Sequence, residues 1–486
     1  MSKRNLKRHA IGGSAMAVAG RLTRALQGIA ALAILSRFLT PAEFGLMAMV
    51  AFVASLAQIF TDFGTRIALV QRQTVTRLEE DSVFWWNLGL GLVLTGSIML
   101  FSGPIAGLVG QASIQSPLIW VAPIFLIGAL QGVPLSVLER RMSFGWIAAA
   151  EAGSAIAGSV AAVIMVLLGY RIEALVAQTV VASLVSAGGI VIAAHWRPGF
   201  RFSAAALKPL LSYGSYVTAA GVVHTVSTQA DRPIVGNRLS AADLGYSTIA
   251  EQIVLSPLRI TVQMVRKVMF PIMATIQDDN IRMRRGYIAM QYGMMVIMAP
   301  ICFGLWALAD PIVAIVLGTG WELVAILMGY LTLRALFSTF NDLNYVIFSA
   351  KGWVKFQLNW SILTAAINVV MLLLLVDYGI EAVVAGKLAL AIVLTPVNAW
   401  FALRLIGQPA GEMVNVLIRP LISALVMGLA VSWLQGQLAA ADMGALAQLV
   451  LCIPAGAVLY LAAEALLDRR RLMDLLRQIR SRGKTG

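Results

Sequence analysis

The sequence predicts an all-α integral membrane protein with about fourteen transmembrane helices: two six-helix lobes in parallel pseudo-twofold repeat, followed by two C-terminal helices. Composition, the order of the apolar segments and an internal repeat support this prediction. Hydrophobic residues make up 59% of the 486 residues and charged residues 12%, against roughly 45–50% and 25% in a soluble domain. So little charge cannot cover a soluble protein of this size, and we therefore expect most of the chain to lie in lipid.

The apolar segments are separated by short polar connections, and each is predicted to be a helix because backbone in lipid must satisfy its own hydrogen bonds. The first six segments are 14–36, 44–63, 83–107, 117–138, 146–169 and 173–194. The remaining eight are 209–233, 242–263, 286–307, 323–349, 356–376, 380–403, 414–435 and 444–467. The connections leave no room for a soluble catalytic domain. The two cysteines, Cys302 and Cys452, lie inside apolar runs and predict neither a disulfide framework nor a metal site.

The net charge of +14 is distributed unevenly between the two sides of the predicted membrane. Most basic residues fall in one set of alternate connections and at both termini, whereas the opposite set holds only Arg37, Arg171 and Arg238. By the positive-inside rule, both termini are cytoplasmic and the number of spans is even. The basic tail is predicted to contact anionic lipid rather than nucleic acid.

Two pairs of similar segments indicate a duplication. Residues 37–45 (RFLTPAEFG) match residues 237–245 (NRLSAADLG), and residues 170–177 (YRIEALVA) match residues 378–385 (YGIEAVVA). Both pairs lie on predicted outer connections, so the period is six helices and the two halves share one orientation. Parallel repeats of this kind are a transporter architecture with a substrate site between the halves near the midplane; duplication without transport is the alternative.

The repeat defines the predicted domain organisation. The predicted divisions are an N-lobe (1–194), a cytoplasmic inter-lobe loop (195–208), a C-lobe (209–404), two accessory helices (405–467) and a cytoplasmic tail (468–486).

Three stretches resemble a known family: LSRFLTPAEFGLMAM (35–49), DRPIVGNRLSAADLGY (231–246) and VMFPIMATIQDD (268–279). They are similar to polysaccharide transporters of the multidrug/oligosaccharidyl-lipid/polysaccharide export superfamily, in the branch of the colanic acid and succinoglycan exporters. The resemblance extends from about residue 10 to residue 430. It implies a bacterial inner-membrane flippase that moves an undecaprenyl-diphosphate-linked oligosaccharide from the cytoplasmic to the periplasmic leaflet by alternating access.

The resemblance also implies the partners. They are the lipid-linked oligosaccharide, the membrane lipids, a polysaccharide polymerase and glycosyltransferases, with no nucleic acid. We expect a monomer without a cofactor, catalytic residues or a nucleotide-binding motif, coupled to the membrane potential, H⁺ or Na⁺.

Four basic side chains are predicted to lie deep in the membrane: Arg21, Arg24, Arg334 and Lys387. A charge at the bilayer centre costs about 2.5–3.5 kcal/mol on insertion scales, so such residues face a wet cavity or a partner. Arginine offers two parallel donors and lysine a point charge, and both suit a diphosphate. We therefore assign these four residues to diphosphate binding.

Two acids are candidates for ion coupling or for salt bridges, namely Glu251 and Asp231. Glu251 is predicted at mid-depth, where it either pairs with Arg24 or Arg334 or binds a proton or cation. A buried charge needs a partner in either case, so both interpretations stay open.

Polar side chains at helical spacing are predicted to line a hydrated vestibule for sugar hydroxyls. The set comprises Ser338, Asn341, Tyr345, Gln357, Asn368, Gln252 and His224. Hydrogen bonding between helices is the alternative interpretation of each of them.

Three other functions compete with a polysaccharide flippase. A multidrug–cation antiporter of the same superfamily would need a cavity rich in acids, whereas the deep charges here are mainly basic. A membrane enzyme such as a polymerase or ligase usually carries a long outer loop, and the outer connections here are short. A lipid II flippase would share the basic cavity, but the three stretches favour the polysaccharide branch.

Overall fold

The computed structural model describes the backbone of residues 27–483 and the side chains of residues 27–409 and 411–467. Over that part of the chain the secondary structure is helical, without a β-strand. The chain divides into two compact units, Met1–Thr248 and Ile249–Gly486.

The first unit begins with helical residues 27–35 (α1). It continues with α2 (Pro41–Thr61), α3 (Thr65–Gln71), α4 (Arg77–Leu100), α5 (Ser102–Val109), a 3₁₀ turn (Ala112–Ile114), α6 (Gln115–Val121), α7 (Pro123–Arg140), α8 (Phe144–Leu167), α9 (Ile172–Ala194), α10 (Ala204–Gln229) and α11 (Asp231–Arg238). One hydrophobic core joins α3, α4, α7, α9 and α10 through side chains such as Leu69, Val83, Val137, Ile190 and Leu210.

The helix α12 (Ala241–Thr275) crosses the boundary into the second unit. It is followed by α13 (Asn280–Ala307), α14 (Ala309–Val316), α15 (Glu322–Ala350), α16 (Val354–Leu375), a 3₁₀ turn (Val376–Tyr378), α17 (Ile380–Ile406), α18 (Ala410–Ala440) and α19 (Ala445–Gly483). The main packing pairs are α13 with α18, α15 with α17, and α18 with α19. The two accessory helices are thus attached to this unit through α13.

Eleven helices of the described residues are long and apolar enough to cross a membrane. The all-α, membrane-spanning fold class is therefore confirmed, whereas the count of fourteen is not. The predicted span 14–36 lies largely outside the described residues, and α10 and α12 are long helices that are not among these eleven. The α10 helix packs against α2, α3 and α4, so the compact units differ from the predicted lobes, whose limits stay a prediction.

Each copy of the first repeated segment, 37–45 and 237–245, contains the beginning of a helix. In the first copy, the backbone N–H and the hydroxyl of Thr40 donate to Oε2 of Glu43, at 2.7 and 2.9 Å, at the start of α2. In the second copy, the Ser240 hydroxyl donates to Oδ2 of Asp243 at 2.6 Å and accepts the N–H of Asp243 at 3.0 Å. Such reciprocal bonds satisfy the free N–H groups of a helix N-terminus, which explains why these residue types recur 200 positions apart.

The glycine that ends each copy of this segment brings the two copies into contact. A Cβ on Gly45 would lie 1.7 Å from the carbonyl oxygen of Ala241, and a Cβ on Gly245 would lie 1.8 Å from that of Pro41. The relation is reciprocal, because each glycine meets the residue four positions before the other. The first turns of α2 and α12 therefore touch backbone to backbone, a distance that only glycine permits.

The inter-lobe loop is bound to the start of α4. The Asp81 carboxylate accepts the N–H of Gly199 at 2.9 Å, and the indole of Trp85 donates to the Gly199 carbonyl at 2.8 Å. The Ser82 hydroxyl accepts the N–H of Ser203 at 2.9 Å, and the indole of Trp196 donates to Glu80 at 2.7 Å. Together with a bond from the Arg77 guanidinium to the Arg197 carbonyl, these contacts hold residues 196–203 against the start of α4.

We expect Asp81→Ala to release this loop. Asp81 is 1% exposed, and hydrogen bonds to a charged group contribute about 1.5–3 kcal/mol each. Trypsin should then cut at Arg197 or Arg201 roughly tenfold faster in vesicles that expose the loop, because local opening becomes easier. The exposed Asp278→Ala is the control. Equal cleavage of the two variants would show that Asp81 does not hold the loop.

Candidate functional site

Three of the predicted charged residues meet in the second unit. One carboxylate oxygen of Glu251, on α12, lies 3.5 Å from Nη1 of Arg334 on α15. The same oxygen lies 3.9 Å from Nζ of Lys387 on α17. Two cations from two helices therefore converge on a single carboxylate oxygen.

The three residues come from similar depths on their helices. Each helix begins at a predicted outer connection, and at a rise of about 1.5 Å per residue Glu251 lies about 15 Å along α12. Arg334 lies about 18 Å along α15 and Lys387 about 10 Å along α17. If these helices begin at the outer edge of a hydrocarbon core about 30 Å thick, the charged cluster lies in its middle third.

The ion pairs of this cluster are loose. Both separations exceed the roughly 2.7–2.9 Å of a charge-assisted hydrogen bond, and Nη1 of Arg334 is buried without a hydrogen-bond acceptor. The side chains are partly accessible, at 31% for Glu251, 27% for Arg334 and 12% for Lys387. A buried donor without an acceptor needs an explanation. An oxygen atom of a bound anion would be a suitable acceptor for this N–H group.

The remaining predicted charged residues are Arg21, Arg24 and Asp231. Arg21 and Arg24 lie outside the described residues, so their roles stay predictions. Asp231 begins α11 in the first unit. Of the two pairings predicted for Glu251, the one with Arg334 is therefore found.

Most of the predicted vestibule residues hydrogen-bond to neighbouring helices or to their own helix. Asn341 on α15 donates to Thr395 on α17 at 3.0 Å, and its Oδ1 is buried without a partner. The hydroxyl of Tyr345 lies 3.2 Å from that of Ser361 on α16. The remaining members are placed as follows: Gln357 accepts from Ser349, Asn368 donates to the carbonyl of Thr364, Ser338 is half-buried, and Gln252 and His224 are exposed.

A second polar network, which was not predicted, involves α15 and α17, the two helices that carry Arg334 and Lys387. The Tyr287 hydroxyl and the Gln291 amide, both on α13, donate to Oδ1 of Asn344, at 2.5 and 3.1 Å. The amide of Asn344 in turn donates to Asn398 on α17 at 2.8 Å. These four side chains are buried. The network joins α13 to α15 and α17, at positions that follow Arg334 and Lys387 along the latter two helices.

A buried acid in the last helix was also missed. Glu464 on α19 is 0% exposed and accepts hydrogen bonds from Tyr292 on α13 and Ser423 on α18, each at 2.9 Å. Glu464 is an isolated acid inside the predicted span 444–467. This position in an apolar segment was the sequence feature that could have indicated a buried, paired carboxylate. Its bonds join three helices, which makes it a structural link between the accessory helices and α13.

Comparison with known proteins identifies related sequences. The family described as Polysaccharide biosynthesis protein matches residues 34–326. The chain is 29% identical over 460 residues to the succinoglycan biosynthesis transport protein ExoT of Rhizobium meliloti (strain 1021), with 91% of each chain covered. It is 25% identical over 410 residues to the teichuronic acid biosynthesis protein TuaB of Bacillus subtilis (strain 168), covering 83% of this chain and 84% of that one.

Solved structures share the fold at low sequence identity. The lipid II flippase MurJ in an inward closed conformation superposes with a TM-score of 0.75 at 15% identity, covering 95% of this chain and 100% of that one. An inward-facing multidrug resistance MATE transporter of the MOP superfamily superposes with a TM-score of 0.57 at 14% identity, covering 80% and 98%. At these identities the likeness concerns the fold alone.

Proposed function

Because this chain belongs to the polysaccharide biosynthesis protein family, whose match covers residues 34–326, we propose that it is a flippase for a polysaccharide repeat unit linked to undecaprenyl diphosphate. The resemblance to polysaccharide transporters noted in the sequence is confirmed by this membership. The repeat unit would cross from the cytoplasmic to the periplasmic leaflet of the bacterial inner membrane, with both termini of the chain in the cytoplasm.

The observation that carries the proposed substrate is the charged cluster of Arg334, Lys387 and Glu251. Arg334 and Lys387 approach the same oxygen of Glu251 at 3.5 and 3.9 Å, and Arg334 Nη1 lacks a hydrogen-bond acceptor. A diphosphate carries enough oxygens to contact a guanidinium and an ammonium at once. Arg21 and Arg24 are proposed as further diphosphate ligands from the first lobe.

The proposed cycle is alternating access of the two predicted lobes, with the sugar in the polar vestibule and the lipid tail in the bilayer. An anionic head group that leaves a cell with a negative interior moves with the membrane potential. Each full charge gains about 2.3 kcal/mol per 100 mV. Fixed cations at mid-depth would lower the desolvation barrier that the diphosphate meets on this path.

The runner-up functions share the fold. A multidrug–cation antiporter is disfavoured because cationic drugs would be repelled by Arg334 and Lys387. A lipid II flippase would use the same cations, and the relatives named for succinoglycan and teichuronic acid biosynthesis favour the polysaccharide substrate.

Deletion of the gene tests the proposal. We expect lipid-linked repeat units to accumulate on the cytoplasmic leaflet and one exported or surface polysaccharide to disappear, with recovery on complementation. The leaflet is assigned by the access of a membrane-impermeant, glycan-modifying probe to intact cells and to inside-out vesicles. A strain that keeps its polysaccharide but becomes sensitive to cationic dyes would support the antiporter instead, and arrested cell-wall synthesis would support the lipid II flippase.

A further inference from the structure

A pair of cations at mid-depth faces a problem of selectivity. Bacterial membranes contain anionic phospholipids, whose phosphodiester head groups carry one negative charge each and attract basic side chains. An open site formed by Arg334 and Lys387 would bind these abundant head groups as well as a scarce diphosphate. The cluster contains a residue that can prevent this, namely Glu251.

We infer that Glu251 is a specificity-determining residue: its carboxylate occupies Arg334 and Lys387 as an internal competitor that a diphosphate displaces and a single phosphodiester does not. The inference rests on the proposed function. Its geometric basis is that one oxygen of Glu251 faces both cations, at 3.5 and 3.9 Å. A ligand that takes this position must replace both interactions together.

The charges of the competing groups decide the exchange. A phosphodiester brings one negative charge, as Glu251 does, so replacing the carboxylate gains little and requires the head group to lose its hydration. A diphosphate brings two charges on neighbouring groups and enough oxygens for Arg334 and Lys387 together. Arginine gains most, because its parallel N–H groups pair with two oxygens.

The packing of the cluster permits this displacement. The Glu251 side chain is 31% exposed, and its separations of 3.5 and 3.9 Å from the two cations are longer than a charge-assisted hydrogen bond. A carboxylate held by short bonds in a closed core would be costly to remove, whereas this one can turn away from its cations. Arg334 Nη1, which lacks an acceptor, is a donor that the incoming diphosphate can use.

Competition binding with the full-length chain in nanodiscs of neutral phosphatidylcholine tests the inference. The probe is a fluorescent polyprenyl diphosphate, and the competitor is phosphatidylglycerol added as a rising fraction of the nanodisc lipid. For Glu251→Gln, which keeps the side-chain shape without the charge, we expect phosphatidylglycerol to compete roughly tenfold more strongly than for the unmodified chain. The matched control is Glu412→Gln, an acid at the start of α18 that bonds to Gln408, where competition should not change.

A second variant covers the case in which the neutral residue prevents folding. Glu251→Asp keeps the charge but is shorter by one methylene, so its carboxylate pairs less closely with both cations, and phosphatidylglycerol should compete severalfold more strongly. Equal competition in the unmodified chain and in the folded variants would overturn the inference and leave the proposed function standing. If the unmodified chain does not bind the polyprenyl diphosphate, the proposed function itself fails.

Discussion

Replacing Gly45 by alanine is expected to lower the free energy of unfolding by about 1–3 kcal/mol or more and to abolish export. The added Cβ would lie 1.7 Å from the Ala241 carbonyl oxygen, and backbone cannot move aside as a flexible side chain does. The first turns of α2 and α12 would have to separate. Gly245→Ala should have the same effect, since its Cβ would lie 1.8 Å from the carbonyl oxygen of Pro41.

A glycine in open surroundings provides the control. Gly96 lies within α4, and a Cβ there would have no atom within 4 Å. Gly96→Ala should therefore be neutral or stabilise the protein by about 0.4–1 kcal/mol. The measurement is the fraction of detergent-solubilised protein that stays monodisperse after heating, together with polysaccharide export. Equal behaviour of Gly45→Ala and Gly96→Ala would exclude a close helix crossing at this position.

Arg334→Ala is expected to reduce export roughly 10- to 100-fold while the protein remains in the membrane, since a hydrogen bond to a charged group contributes about 1.5–3 kcal/mol. Arg334→Lys should retain part of the activity, because lysine keeps the charge but not the pair of parallel donors. Export is measured by complementation of the deletion strain, with protein levels compared by immunoblot. The control is Arg404→Ala, whose guanidinium lies over the Trp400 ring at the end of α17.

A double variant separates substrate binding from a structural ion pair. If Arg334 only neutralises Glu251, the combination Arg334→Met with Glu251→Gln should restore export, because it removes one positive and one negative charge and leaves the net charge of the cluster, carried by Lys387, unchanged. If Arg334 binds the diphosphate, the double variant should remain as inactive as Arg334→Ala. Restored export would therefore contradict a role of Arg334 in substrate binding.

Helix positions could be predicted because an apolar segment of sufficient length has few alternatives in lipid. The predicted spans 173–194 and 444–467 coincide closely with Ile172–Ala194 and Ala445–Leu467. The pairing of Glu251 with Arg334 was also within reach, because both residues were placed near the midplane and a buried charge needs a partner. Depth along two helices was sufficient for that prediction.

Interactions between distant segments could not be predicted where neither depth in the membrane nor an unpaired charge indicated the partner. Asp81 and Gly199 are 118 residues apart, and the polar residues around each also fit a solvated loop. The participation of Lys387 in the Glu251 cluster depends on the rotation of α17, which a weakly amphipathic sequence does not define. Glu464 shows a different limit, because its role depends on Tyr292 and Ser423 on two other helices.

The reciprocal glycine contact has an evolutionary consequence. In a symmetric dimer, if residue i of one subunit contacts residue j of the other, then residue j of the first also contacts residue i of the second. The two copies of the segment show the same reciprocity, since Gly45 meets Ala241 and Gly245 meets Pro41. A half-length ancestor with a single copy of this segment would have paired with itself through that glycine. Fusion of two copies would have kept the contact within one chain, and each half could then have acquired its own charged residues, such as Glu251, Arg334 and Lys387 in the second.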